Sequence, residues 1–145
     1  MNGLDIRHGT ETDHPALVVY YDGGEGPLDQ FVDLERLQRL PPEGLLVAEV
    51  DGKIVGFLYW FRHRKPFFDP AVDEYAMIHE LHVFEDFQRR GIGRALLARA
   101  VEDIRTCGIG TVYIDTMDYN APARALYESA GFRELFRDVH YKLEL

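Results

Sequence analysis

Cysteine is nearly missing from this chain: Cys107 stands alone among 145 residues. An intrachain disulfide is therefore excluded, and the fold must rest on an apolar core. A single thiol fits a reducing, cytoplasmic setting. Long apolar runs are lacking too, since no stretch approaches the ~20 residues of a membrane span. The first residues, Met1-Asn2-Gly3-Leu4-Asp5, have neither the basic nor the apolar region of a signal peptide. Basic side chains are scarce: 16 Lys+Arg stand against 25 Asp+Glu, a net charge of −9. That balance argues against nucleic acid as a partner, because phosphate binding needs a basic face. His8, His14, His63 and His140 are dispersed without the close spacing of metal ligands, so no metal site is expected.

What is present is ordinary globular material. Apolar residues make up 46%, and a chain of this length forms one domain that buries about 70% of its unfolded surface. The negative charge is uneven. Residues 1–44 hold three basic and nine acidic side chains, so most of the excess lies in the first third. It reads either as a solvated acidic helix face or as a lip that attracts a cationic substrate. Glu11, Asp13, Asp22, Glu25, Asp29 and Asp33 would form that lip.

Patterning predicts the elements in turn. Leu4 to Arg7 alternates as a first strand. Residues 22–27 hold three glycines and a proline, a loop signal. Phe31, Leu34, Leu37 and Leu40 suit a short helix stopped by Pro41-Pro42. Leu45 to Val50 and Ile54 to Phe61, joined by Asp51-Gly52, predict a hairpin. Arg62-His63-Arg64-Lys65-Pro66 reads as a basic loop, and Tyr75 to Phe84 as a third strand. From Gly91 to Cys107, Ile92, Leu96, Leu97, Ala100, Val101 and Ile104 line one helix face, with Gly108 at the left-handed cap. Thr111 to Met117 alternates as a strand. Asn120-Ala121-Pro122 opens a helix that Gly131 ends, and Val139 to Leu143 reads as a last strand. Strands followed by strand–helix–strand–helix–strand make one α/β or α+β domain.

One junction carries chemistry. The strand Ile78 to Phe84 runs into Gln88-Arg89-Arg90-Gly91-Ile92-Gly93-Arg94, and a helix follows. The first N–H groups of a helix lack intrahelical partners, and with the helix dipole they form an anion site. Glycines allow close main-chain approach, and the arginines add forked cationic donors. A diphosphate is the natural ligand. The third glycine of a dinucleotide fingerprint and the lysine of a nucleotide P-loop are both missing, which disfavours a nucleotide-binding regulatory domain.

Gln88-Arg89-Arg90-Gly91-Ile92-Gly93 resembles the Arg/Gln-x-x-Gly-x-Gly/Ala signature of the GCN5-related N-acetyltransferase (GNAT) superfamily. Asn120 to Phe132, with Leu126-Tyr127 and Gly131-Phe132, resembles that family's Asn…Leu-Tyr-x-x-x-Gly-Phe segment. The resemblance covers roughly residues 45–145, with residues 1–44 as a variable, substrate-side segment. It implies a mixed, mostly antiparallel sheet with flanking helices and a splayed parallel pair, here Ile78–Phe84 and Thr111–Met117.

The resemblance further implies acetyl-CoA as cosubstrate and a primary amine as acceptor. The amides and side chains of Gln88, Arg89, Arg90, Gly91, Ile92, Gly93 and Arg94 would hold the pyrophosphate. The backbone of Leu81 and Val83 would pair with the pantetheine arm, and a bulge near Leu81–His82 would free an N–H for the acetyl carbonyl. Tyr127 would protonate the leaving thiolate. Asn120 would contact the pantetheine arm or simply cap its helix; Arg124 would reach the phosphates or lie on a solvated face. His79 leads as general base, with Glu80 second, because alternation places the two on opposite faces unless a bulge re-aims one. Cys107 ends an apolar stripe and lacks an activating setting, so direct attack in a ternary complex is preferred over an acyl-enzyme. Tyr20, Tyr21, Phe31, Tyr59, Trp60, Phe67, Phe68 and Tyr75 are candidate pocket aromatics. The basic stretch Arg62 to Lys65 reads as a site for the adenosine 3′-phosphate or for an acidic substrate. A homodimer is compatible with the resemblance. An acyl-CoA-binding sensor of the same fold is the alternative to an enzyme.

Overall fold

The structure, a computed structural model, describes residues 3–17, 37–41 and 43–145. They fall into two compact units, Met1–Asp115 and Thr116–Leu145. The loop expected at 22–27, most of the helix expected at 31–40, and Tyr20, Tyr21, Asp22, Glu25, Asp29 and Asp33 lie outside the described residues.

The first unit is built on a five-stranded sheet in the order β1-β2-β3-β4-β5. The strands are β1 (Leu4–His8), β2 (Leu45–Val50), β3 (Lys53–Arg64), β4 (Glu74–Val83) and β5 (Val112–Ile114). Neighbours from β1 to β4 run antiparallel, and β4 and β5 run parallel. The β2–β3 hairpin turns on Asp51 and Gly52, at φ 53° and 78°. Both central residues are left-handed, as a turn matching the strand twist requires. Parallel pairing needs a crossover, and helix α1 (Ile92–Thr106) supplies it between β4 and β5.

The pleat sorts residues onto two faces. Leu45, Val47, Phe57 and Tyr59 form one buried cluster with Leu17 and Leu37. Leu46, Ala48, Leu58 and Trp60 occupy the other face and are fully buried there. Helix α1 covers this second face with Ile92, Leu96, Leu97, Ala100 and Ile104. Close approach explains Gly56: a Cβ there would come within 2.8 Å of the His82 carbonyl oxygen. Polar ties also hold α1 in place. Arg99 donates to the Ile6 carbonyl at 3.2 Å, and His8 Nε2 meets Asp103 at 2.8 Å.

Three expectations change. Arg62 to Arg64 is strand rather than loop, and Lys65, at φ 53°, ends it. Its arginines are paired, Arg62 with Glu74 at 2.8 Å and Arg64 with Asp73 at 3.1 Å. Neighbouring carboxylates thus pair with two of the cations that the sequence offers to a phosphate or an acidic substrate. The strand expected over Thr111–Met117 contracts to Val112–Ile114, the span with a β4 partner. In the second unit, helix α2 (Ala121–Ser129) forms as expected, with the Asn120 side chain accepting from the Ala123 N–H at 3.2 Å. Gly131, at φ 97°, closes it. Residues 133–145 form neither helix nor strand, so the strand expected at Val139–Leu143 is not formed. Alternation supplies propensity, but a strand needs a ladder partner.

Asp13 belongs to the framework rather than to a cation-seeking lip. Its carboxylate receives both Arg7 Nη groups at 2.9 Å, while Arg7 Nε donates to Glu49 at 2.9 Å. The Asp13 oxygen also accepts from the Thr10 backbone at 2.8 Å, capping the 3-10 turn Glu11–Asp13. Hydrogen bonding from Arg7 holds the Asp13 carboxyl below its ordinary range. A lowered carboxylate pKa stabilises the fold above the unfolded value, and that gain is lost as pH falls through the folded one. Asp13→Asn should therefore cost ~1–2 kcal/mol at pH 7. Denaturant melts should show the gap between variant and parent beginning to close as pH falls past about 4, the value in the unfolded chain, and closing further as pH falls through the lower folded one.

Candidate functional site

The site begins with an irregularity in β4. Tyr59 pairs with Glu80 and the next residue, Trp60, pairs with Ile78, so His79 is an additional residue in the ladder. A bulge of this kind re-aims side chains. Strict alternation would set His79 apart from Glu80 and His82. The bulge instead brings Glu80 and His82 to the face that His79 shares with Tyr75 and Met77, where the His79 ring stacks on Tyr59 and meets Phe61 edge-on at 5.0 Å. The bulge expected near Leu81–His82 thus lies two residues earlier.

The parallel ladder stops at the same place. β5 pairs with Ala76, Met77 and Ile78 of β4 and no further. Beyond it, the Phe84 N–H donates across to the Val55 carbonyl of β3 at 2.8 Å. Backbone direction alternates along a strand, so the N–H and C=O groups of Leu81 and Val83 face away from β3, on the edge that β5 leaves. The side chain of Gln88 donates to the Val83 carbonyl at 2.9 Å. Gln88 thereby braces the turn against the strand.

The turn after β4 is shaped by two left-handed residues, Arg89 at φ 64° and Gly91 at φ 81°. Such a sequence of conformations curls successive N–H groups into an anion-binding concavity. Gly91 is the N-cap of α1 and brings no side-chain cap to it. The first helical bond joins the Ala95 N–H to the Gly91 carbonyl at 3.0 Å. The amides before Ala95 therefore have no partner within the helix. Arg89, Arg90 and Arg94 are exposed around this mouth, and Arg90 lies over the Phe87 ring at 5.1 Å.

Histidines and aromatics line the face that carries His79. Tyr113 meets Tyr75 at 5.0 Å, Tyr75 stacks on His63 at 5.4 Å, and His63 faces His79 with Nε2 atoms 3.1 Å apart. His82 lies further along, between Phe57 and Phe84, and burial lowers its pKa, favouring the neutral ring. Of the expected pocket aromatics, Tyr75 joins this row and Phe68 packs on Tyr113 at 4.9 Å. Tyr59 is fully buried beneath the row, Trp60 is buried on the opposite face, and Phe67 is exposed. Sequence reading missed His63, which it placed in a loop; the hairpin register between β3 and β4 would have found it.

The second unit holds Asn120, Arg124 and Tyr127. Asn120 is the cap described above, and Arg124 donates to the Asp118 carbonyl at 3.2 Å. Tyr127 lies half-buried near the C-terminal end of α2, where its ring meets Phe132 at 6.3 Å. Back in the first unit, Cys107 sits 3.6 Å from Glu43, and burial with that carboxylate raises its thiol pKa. A raised pKa leaves little thiolate, the form a nucleophile needs.

The chain is similar to several known proteins. The chain is 32% identical over 144 residues to a mycothiol acetyltransferase of Stackebrandtia nassauensis, a match covering 98% of this chain and 44% of the relative. It is 44% identical over 64 residues to the [ribosomal protein bS18]-alanine N-acetyltransferase of Salmonella typhimurium, covering 44% of this chain and 43% of that protein. The chain thus spans less than half the length of the curated relatives it matches. Among solved structures, AAC(6')-Iy in complex with the bisubstrate analogue CoA-S-monomethyl-acetylneamine aligns with a TM-score of 0.74 at 20% identity. That alignment covers 98% of this chain and 99% of the other, and at such identity it shows the shared fold. The sequence model of the Acetyltransferase (GNAT) family matches residues 10–132, and the chain belongs to that family.

Proposed function

We propose that the chain is an N-acetyltransferase that moves the acetyl group of acetyl-CoA to a primary amine by direct attack in a ternary complex. One observation carries this reading: the opened edge of β4 leads straight into the concave turn at Arg89–Gly91. An extended amide arm followed by a pyrophosphate fits that sequence of features. The backbone of Leu81 and Val83 takes the arm as an added strand, with Gln88 holding the Val83 carbonyl. The amides of Gly91 to Arg94 and the guanidinium groups of Arg89, Arg90 and Arg94 take the phosphates.

Acetyl-CoA, when bound, supplies an activated thioester. His79 removes a proton from the ammonium so that the nitrogen can attack; Glu80, on the same face, is the second candidate. Tyr127 donates its phenolic proton to the departing thiolate. The raised thiol pKa of Cys107 supports direct transfer without an acyl-enzyme. Relatives and structural neighbours are named for mycothiol, an alanine of ribosomal protein bS18 and aminoglycosides. Acetyl transfer is what these names share, so a primary amine is the acceptor class. A cationic one suits the aromatic row beside His79, because ring faces attract cations.

Tyr127→Phe should lower kcat about 10²-fold in a thiol-release assay while leaving the Kd for acetyl-CoA within twofold. Unchanged turnover sinks the acid assignment, and thiol release that never exceeds background with any amine favours an acyl-CoA sensor. Gly91→Ala forces a side chain into a left-handed position with open space around it. CoA binding by calorimetry should weaken tenfold or more, with a stability loss of about 1 kcal/mol. Cys107→Ala should keep nearly full turnover; loss of activity in a folded variant argues for a covalent route.

A further inference from the structure

Resting on that reading, we propose that His63 is the positioning partner of His79. It accepts the Nε2–H of His79, fixes that ring's tautomer, and so makes the unprotonated Nδ1 the basic nitrogen. The two Nε2 atoms are 3.1 Å apart while the ring centroids are 5.4 Å apart, so the imidazoles meet end to end, not face to face. At that distance the nitrogens share a hydrogen bond, and one proton lies between them. A second proton would set two N–H donors and two positive charges against each other.

Packing holds both rings in this pose. His63 stacks on Tyr75 at 5.4 Å and an interplanar angle of 22°. His79 stacks on Tyr59 at 12° and meets Phe61 edge-on. Alternation along β4 sets Tyr75, Met77 and His79 on the face that carries His63, and the bulge after Ile78 adds Glu80 to it. Among the described residues, the other titratable groups on this face are Tyr59 from β3, Tyr75, Glu80 and His82 from β4, and Tyr113 from β5, whose hydroxyl donates to Asp69 at 3.1 Å.

The proton step balances without a further reagent. An N–H bond of the substrate ammonium breaks, its electron pair stays on the amine nitrogen, and an N–H bond forms at His79 Nδ1. The resulting imidazolium keeps its Nε2–H on the lone pair of His63, then loses the acquired proton to solvent, to which both side chains are open. A neutral acceptor beside a charged ring favours the charged form. Removing His63 therefore shifts the acid limb of the kcat profile to lower pH.

Two substitutions separate positioning from packing. His63→Phe keeps an aromatic ring between Tyr75 and Phe61 but has no acceptor; His63→Gln loses the ring but can accept. The expected result is a kcat about tenfold lower in His63→Phe, an acid limb at lower pH, an unchanged KM for acetyl-CoA, and partial recovery in His63→Gln. Recovery in His63→Phe but not in His63→Gln overturns the proposal, as does parental kcat in both. A ¹H–¹⁵N spectrum of the histidine rings tests it without any activity. Parent protein should show His79 protonated at Nε2, with tautomers mixed in His63→Phe; a parent His79 protonated at Nδ1 overturns it. Should His79→Ala keep full turnover, the base assignment fails, and the ring spectrum still decides the dyad.

Discussion

One extra residue in a strand organises this molecule. Where Trp60 pairs with Ile78 and Tyr59 with Glu80, His79 has no place in the regular ladder. A pleated strand that gains a residue must bend and twist away from its neighbour. The parallel pairing with β5 ends at Ile78, immediately before the bulge. Two consequences follow from the same displacement. The backbone of Leu81 and Val83 becomes an open edge, and His79 joins Glu80 and His82 on one face. An unpaired edge inside a sheet is normally a liability. Here it lies next to a concave turn of amides, and a ligand with its own amides can satisfy it.

The rest of the first unit reads as support for that opening. Helix α1 must be held firmly if its N-terminus is to aim at a ligand, and it is held over its length. Its apolar stripe lies on the sheet, and near its far end Asp103 and Arg99 tie it to β1. The turn itself stores some strain, since Arg89 adopts a conformation that non-glycine residues avoid. Gln88 fastens this turn back to β4. Arg7 plays a comparable part at the opposite edge of the sheet, gathering Asp13 and Glu49 around one guanidinium. Among the described residues of the first unit, several charges are thus paired within the fold, those of Arg62 and Arg64 included.

Periodicity made much of the fold legible. The stripe from Ile92 to Ile104, the Asp51-Gly52 turn and the Asn120 cap are local signals, and each forms as its residues predict. The turn motif was legible for the same reason, because glycine and arginine in that order have local meaning. The bulge was not legible at its true position. No residue type marks an inserted strand position, and alternation assumes there is none. His63 was hidden by its neighbours: arginines on both sides look like a loop until cross-strand carboxylates neutralise them. Asp13 looked like free negative charge because its partner Arg7 lies back in β1, where the strand and the turn after it bring the two side chains together. The last expected strand shows the converse error, in which propensity at Val139–Leu143 met no ladder.

The account stands on the open edge of β4 and the turn beyond it acting as a single cradle. Backbone amide exchange, with and without saturating CoA, reads both parts at once. The account predicts that the Leu81 and Val83 amides become strongly protected on binding, together with those of Gly91 to Arg94, while the β1–β2 ladder is unaffected. Saturating binding that leaves Leu81 and Val83 exchanging at their free rates would contradict it.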